Sequence, residues 1–286
     1  MLEISSEKLE KKIATAIAII RQKTGAVVAL SAGVDSSLVA LLAHKALGDL
    51  AVAVTGVSDS LPPEELKVAV ETARAVGIQH QIVRTDEIEK PSYYSNPENR
   101  CYFCKETLYS ALRTMADGLG FEAILDGTQI DDLADDRPGL DAAREAGVVS
   151  PLLIASFSKS EVREAARMLG LSVWDKPAMP CLSSRIAHGQ QITVEKLRMV
   201  GQAELFIKQL TGVRNLRVRL TDLQARVEVS PSDRRVFFHD TVMDQIDREL
   251  RRLGFSRVCL DLRGHSRKES RIPDNPMDLP MANVSN

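Results

Sequence analysis

Aromatic residues are scarce in this chain. Phe, Trp and Tyr make up 4% of 286 residues, with a single Trp, so its core must be aliphatic. No apolar run approaches the roughly 20 residues needed to cross a bilayer, which excludes a membrane-spanning helix. The opening Met-Leu-Glu-Ile-Ser-Ser-Glu has no basic region followed by an apolar one. No signal peptide is expected, and a cytoplasmic location is. Cysteines are few: Cys101, Cys104, Cys181 and Cys259. A reducing compartment excludes structural disulfides and makes clustered thiols candidates for metal or reaction chemistry. No internal repeat is evident.

What is present is ordinary for a soluble globular protein, with 44% hydrophobic and 27% charged residues. The length fits one large domain or two smaller ones. A net charge of −2 conceals an asymmetry, because residues 192–272 hold 17 Lys and Arg against 11 Asp and Glu. An anionic partner would suit that segment, whether nucleotide, phosphorylated substrate or RNA. Plain helix-surface charge explains it equally well, and the segment lacks the interleaved aromatics of an RNA binder.

Residues 6–23 read as a helix with Leu9, Ile13, Ile17 and Ile20 on one face. Val27–Leu30 is a buried strand that turns through Ser31, Ala32 and Gly33 into a helix running to about Leu47. Strands at 50–57 and 80–84 flank a helix that starts at Pro62-Pro63 and stops at Gly77. Residues 85–100 read as a loop, 100–115 as a helix and 123–126 as a strand. A short strand or extended segment is expected at 149–153. Ser158 and Glu161 form a capping box for a helix to Leu169. This alternation predicts an α/β fold with a parallel, doubly wound sheet, whose ligands bind at the carboxyl ends of the strands. From Thr193 the order becomes helix (194–211), two strands (216–220, 225–230), helix (232–253) and strand (257–262), a small α+β domain. We expect domains at 1–188 and 189–263 and an irregular tail at 264–286.

The turn after the first strand presents free N–H groups and the positive end of a helix dipole, a place for phosphate. Ser31, Ser36 and Ser37 can donate hydroxyl hydrogen bonds there, and Asp35 must bridge through metal or cap the helix. Ala32 is expected to be tolerated only if its φ is negative. Asp131 and Asp132, with Asp135 and Asp136, put carboxylates at the same sheet edge, where Mg²⁺ could sit; a solvated acidic loop is the plain alternative. Cys101-x-x-Cys104 opens a helix, a spacing that serves zinc, iron–sulfur clusters and redox thiols alike; a helix-packing Cys104 beside an incidental surface Cys101 is the plain alternative. With Cys181 the motif supplies three thiols, too few to close a structural zinc site but suited to a [4Fe-4S] cluster with one open iron. Cys259, in an apolar strand, is expected in the core. Arg217 and Arg219 share one face of a strand, and Arg226 and Glu228 share a face of the next. Such a face suits a phosphate or carboxylate ligand, or merely solvent.

The residues Ser31–Ser37 resemble the SGGxDS signature of the ATP-pyrophosphatases, with Ala32 where that family usually has glycine. Together with Arg100-Cys101-Tyr102-Phe103-Cys104-Lys105, Asp126-Gly127-Thr128, Pro180-Cys181-Leu182-Ser183-Ser184-Arg185, Val218-Arg219 and Ala225–Glu228, the chain to about residue 262 resembles the LarE family. These are ATP-dependent sulfur transferases that build a nickel-pincer nucleotide cofactor. The resemblance implies that ATP adenylates a carboxylate of pyridinium-3,5-biscarboxylic acid mononucleotide, and that sulfur then displaces AMP to give a thiocarboxylate. It implies that Ser31, Ala32, Gly33, Asp35, Ser36, Ser37, Thr55, Gly127 and Thr128 contact ATP, with Mg²⁺ on Asp35 and Asp131. Arg185, Arg217, Arg219 and Glu228 would hold the small-molecule nucleotide substrate. In one branch the cysteine matching Cys181 gives up its own sulfur. In another, cysteines matching Cys101, Cys104 and Cys181 hold a [4Fe-4S] cluster, and this chain has all three. The family also implies a homo-oligomer. The rivals are a tRNA thiolase, an amide-forming synthetase, which has no use for three thiols, and a regulatory protein whose Ala32 disables the loop.

Overall fold

The computed structural model describes residues 6–134 and 138–264. Asp135, Asp136 and Arg137 of the acidic stretch, and the expected tail after Gly264, lie outside the described residues. The first unit contains α1 (Ser6–Arg21), β1 (Ala26–Ala29), α2 (Val34–Leu47), β2 (Ala51–Val57), α3 (Pro63–Val76) and β3 (Gln79–Arg84). It continues with α4 (Pro91–Tyr94), α5 (Arg100–Leu119), β4 (Ala123–Leu125), α6 (Pro138–Glu145), α7 (Pro151–Ile154) and α8 (Lys159–Met168). The second unit is α9 (Val194–Thr211), β5 (Leu216–Thr221), β6 (Gln224–Val229), α10 (Asp240–Arg252) and β7 (Arg257–Leu260).

The four strands of the first unit form an all-parallel sheet in the order β3-β2-β1-β4. Side chains on successive strand residues point to opposite faces. Ala26, Val28, Ala51, Ala53 and Leu125 join one core with α1, α2, α3 and α8. Val27, Ala29, Val52, Val54 and Ile124 join another with α5 and α6. Helices thus cover both faces, which is why β1 and most of β2 are buried and apolar throughout. The chain runs outward from β1 to β3 and then returns to lay β4 against the other side of β1. That reversal opens a crevice at the carboxyl ends of β1 and β4. No helix among the described residues is long and apolar enough to cross a membrane.

Helix boundaries follow local chemistry. Pro63, Glu64 and Glu65 occupy the first turn of α3, and Gly77 ends it in the left-handed region at φ 82°. The Ser158–Glu161 capping box forms with both reciprocal hydrogen bonds. Thr193 caps α9 by accepting from the Lys196 N–H.

Several expectations are corrected. Residues 85–100 are not an open loop, because a 3₁₀ turn at Glu87–Glu89 and α4 interrupt them. At 149–153 only Val149 is strand-like, making one parallel bridge to Leu125, and Pro151 then starts α7. The helix expected at 232–253 is two pieces, a 3₁₀ turn at Pro231–Phe237 and then α10. His239 is extended between them. The apolar positions 237 and 242 stand five apart, a step that breaks helical spacing. Cys259 is exposed rather than core. It pairs with Arg226 across β6 and β7, so its side chain shares the polar sheet face while Val258 and Leu260 pack inward.

In the second sheet β5 and β6 run antiparallel and β6 and β7 parallel. Its core draws on α9 and α10 and also on Tyr93, Leu182 and Ile186. Ile186 bridges to Leu220. The Cys181 segment is therefore packed by the second unit while it reaches over the first.

Candidate active site

The β1–β4 crevice holds a cavity of about 650 Å³. Ser31, Asp35, Thr55, Lys105, Asp126 and Thr128 are among its walls, and so is Cys101. The phosphate loop is knitted by its own hydroxyls. Ser36 Oγ donates to the Gly33 carbonyl at 3.1 Å, so it accepts from both the Ser31 N–H and the Ser31 hydroxyl, each at 3.1 Å. Gly33 sits at the N-cap of α2, and no side chain caps that end. The first-turn N–H groups thus stay available to an anion, as phosphate requires. Ser37 is wholly buried, and its hydroxyl has no partner among the described residues.

Ala32 overturns its expectation. Its φ is 60°, in the left-handed region, and its side chain is fully buried. This costs an L-residue about 1–2 kcal/mol. Gly127 is demanded by close approach, since a Cβ there would lie 2.7 Å from the Ser36 backbone nitrogen and 2.9 Å from Asp35. The turn after β4 therefore presses on the N-terminus of α2. Asp126 fixes that turn: its carboxylate accepts from the Thr128 hydroxyl at 2.7 Å, Ser150 at 2.6 Å and Tyr109 at 3.2 Å.

Asp35 and Asp131 are brought to one residue. Lys159 Nζ pairs with Asp35, and the Lys159 N–H donates to Asp131 Oδ2 at 2.6 Å. The other oxygen of Asp35 is buried without a partner among the described residues. Asp35 and Asp132 are among the walls of the cavity and Asp131 is not; Mg²⁺ takes one or two carboxylates and completes its shell with phosphate and water, so Asp35 beside the phosphate cradle fits that ion. The Thr55 hydroxyl is already committed. It donates to the Leu30 carbonyl and accepts from His80 Nε2, both at 2.8 Å. Burial lowers the His80 pKa.

The thiols converge from two segments. Cys101 is exposed in the first turn of α5, and Cys104 lies one turn further in. Burial, followed by Glu87 and Cys181, pushes Cys104 up to about 12. Burial also raises Cys181, against the lowering influence of Arg100. Tyr93 is raised by burial and then by Cys181 and Cys104. These groups lie close enough to sense one another's charge. Among the described residues, no group of three or more His, Cys, Asp and Glu side chains is arranged to hold a single metal ion. Three thiols nonetheless match the donor chemistry of an iron–sulfur cluster, which is thiolate-held.

What draws Cys181 to the α5 thiols was not visible in the sequence. Asn96, at φ 59° and fully buried, donates to the Ile186, Ala187 and Gln190 carbonyls and accepts from Arg100. Arg100 donates to the Ser183 carbonyl at 3.1 Å, and the Tyr93 and Ser183 hydroxyls meet at 2.6 Å. The Leu182 N–H donates to the Ser60 carbonyl at 2.8 Å. The only local signal was Asn96 before Pro97, a turn dipeptide. Lys105 was also missed as a wall residue, although it ends the cysteine motif. Its ammonium lies 5.3 Å from the Tyr109 ring centre. Burial would lower its pKa, but Tyr109, Asp126 and Cys104 outweigh that and raise it.

The arginines divide. Arg185 is wholly buried and cannot meet a substrate, which corrects its expected role. It forks onto Glu204 at 2.7 and 3.1 Å and donates to the Pro180 carbonyl and Ser184 hydroxyl, so it holds the Cys181 turn from behind. Arg219 pairs with Glu228 at 3.1 Å and donates to the Ser184 carbonyl at 2.6 Å. Glu228 also pairs with Arg226 at 2.9 Å. Arg217, opposite Glu228 in the ladder, makes no side-chain hydrogen bond or ion pair among the described residues. Burial, then Arg185 and Arg219, lowers it to about 10, so it stays charged at neutral pH. It is a half-buried cation open to an anionic group.

A family model described as NAD synthase matches residues 5–117, the stretch that carries the phosphate loop. An uncharacterized protein of Synechocystis sp. is 46% identical, covering 90% of this chain and 96% of its own length. The pyridinium-3,5-bisthiocarboxylic acid mononucleotide synthase of Lactiplantibacillus plantarum is 35% identical, covering 90% of this chain and 92% of its own. A glutamine-hydrolyzing GMP synthase subunit of Archaeoglobus fulgidus is 29% identical over 70% of this chain and 71% of its own. Phosphate loop, crevice and near-full-length similarity agree: the chain belongs to the LarE family of ATP-dependent sulfurtransferases, built on the ATP-pyrophosphatase fold.

Proposed function

We propose that this enzyme adenylates a carboxylate of pyridinium-3,5-biscarboxylic acid mononucleotide and converts it to a thiocarboxylate. The observation that carries the reading is Cys101, which lines the same cavity as the phosphate loop. Activation and sulfur delivery would thus share one crevice. The name of the Lactiplantibacillus plantarum relative, at 35% identity, supports this product class.

In the first step a substrate carboxylate oxygen attacks the α-phosphorus of ATP. An oxygen–phosphorus bond forms, the α–β bridge breaks, and pyrophosphate leaves. The uncapped N-terminus of α2 would hold the departing phosphates by its dipole and N–H groups. Asp35 would hold Mg²⁺, which offsets phosphate charge when bound. Arg217 would neutralise the nucleotide's own phosphate, and Arg219 would support it from the same sheet face. In the second step a sulfur nucleophile attacks the acyl carbon, and AMP departs with its bonding electron pair. Cys101, Cys104 and Cys181 would hold a [4Fe-4S] cluster, which when bound supplies a carried sulfide. Arg185, Arg100 and Asn96 would keep Cys181 in register with α5.

Two measurements on anaerobically purified protein test this. The first is production of the thiocarboxylate from ATP, Mg²⁺, sulfide and the biscarboxylic mononucleotide, followed by mass spectrometry. Cys181→Ala should abolish it; full activity in that variant refutes the sulfur role. The second is an iron and sulfide count, expected near four of each per chain, as about four irons make a [4Fe-4S] cluster. Colourless protein whose chain loses the mass of one H₂S after a single turnover, leaving dehydroalanine at 181, would instead establish sacrifice of Cys181.

A further inference from the structure

The left-handed Ala32 is held in place by a residue from the segment that carries Cys181. Lys176 Nζ donates to the Ala32 carbonyl at 2.9 Å and to Glu65 Oε2 at 2.7 Å. Both side chains are largely buried, at 17% exposure for Lys176 and 8% for Glu65. Lys176 is itself fixed, because Arg163 donates to the Lys176 carbonyl at 2.9 Å and to the Trp174 carbonyl at 2.6 Å. The peptide between Ala32 and Gly33 is trans and planar, so its C=O and N–H point in opposite directions. Anchoring the Ala32 oxygen on Lys176 turns the Gly33 N–H to the other side. That N–H has no acceptor among the described residues.

We propose that Lys176 is a positioning residue that holds the Ala32–Gly33 peptide so that its N–H meets the pyrophosphate portion of ATP. The inference rests on reading Ser31–Ser37 as the phosphate-binding loop. Alanine resists the left-handed region where glycine does not. A chain with alanine here needs an external clamp, and Lys176 with Glu65 supplies it. Lys176 also stands five residues before Cys181, so the clamp ties the activating loop to the sulfur segment.

Calorimetric titration of the full chain with ATP, pyrophosphate and AMP tests the clamp. Wild-type protein that binds neither ATP nor pyrophosphate overturns the phosphate-loop reading itself. Given wild-type binding, Lys176→Met should weaken ATP and pyrophosphate about tenfold to a hundredfold, the worth of one charged hydrogen bond. AMP, which lacks the pyrophosphate, should change less than threefold (roughly, within one weak contact). Adding Ala32→Gly to Lys176→Met should recover most of the loss, since glycine reaches the left-handed turn unaided. Should Lys176→Met fail to fold because it strands the Glu65 carboxylate, Glu65→Gln/Lys176→Met keeps that position neutral. Pyrophosphate binding within about twofold of wild type refutes the clamp, as does an equal loss for AMP. Failure of Ala32→Gly to rescue refutes it as well.

Discussion

Glu204→Leu is the sharpest test of how the Cys181 turn is built. Arg185 and Glu204 are buried together, with side-chain exposures of 0% and 4%. The carboxylate takes two guanidinium donors and also the Val218 N–H at 2.9 Å. Leucine at 204 would leave two donors of the buried guanidinium, Nε and Nη2, and the Val218 N–H without their acceptor. Breaking one side of such a pair costs about 3–5 kcal/mol. Against a total stability on the order of 5–15 kcal/mol, this is a large fraction. Removing both charges in Arg185→Met/Glu204→Leu should recover most of it, because paired desolvation is then avoided. Activity should not return with stability, since Arg185 also grips Pro180 and Ser184 around Cys181. Urea unfolding of wild type and both variants, with thiocarboxylate production measured alongside, separates the two effects. A loss below about 1 kcal/mol in Glu204→Leu would refute the reasoning, as that is the range of an exposed pair.

Gly127→Ala should cost about 1–3 kcal/mol and weaken ATP binding, because the new Cβ meets backbone that cannot rotate aside; unchanged ATP affinity by calorimetry would contradict the close approach. The Lys12–Glu161 pair at 2.6 Å joins α1 to α8. Burial works to raise the Glu161 pKa, but Lys12 and the Ser158 N–H outweigh it and bring it below the ordinary carboxylate value. A depressed carboxylate stabilises above its unfolded pKa and loses that contribution as pH falls through its folded value. The melting-temperature gap between wild type and Glu161→Gln should therefore be full at neutral pH and close progressively below about pH 4.5; a gap that persists undiminished at the acid end of the folded range would exclude this linkage.

Much of the first unit was legible because its signals are local. The apolar run of β1, the proline and acids of α3, and the Ser158–Glu161 box each act within a few residues. The hidden parts have non-local causes. Cys259 sits in an apolar strand, yet its face was decided by register with Arg226. The step from 237 to 242 concealed the break before α10. Asn96 looked like loop filler, although its amide serves three carbonyls at least 90 positions away.

Neighbouring residues alone dictate that a phosphate cradle lies between a buried strand and a buried helix, and that three thiols are available to the same chain. Periodicity and turn chemistry suffice for that, since both are written within a few positions. Long-range packing settled which groups are free to act. It consigned Arg185 to a buried fork and left Arg217 without a side-chain hydrogen bond or ion pair among the described residues. It committed the Thr55 hydroxyl to Leu30 and His80. It also held Ala32 at positive φ through Lys176, a partner 144 positions along the chain. Whether a polar side chain is available depends on what occupies its hydrogen-bonding directions and on how much water it retains. Both are properties of packing, and packing is set by residues far apart in sequence.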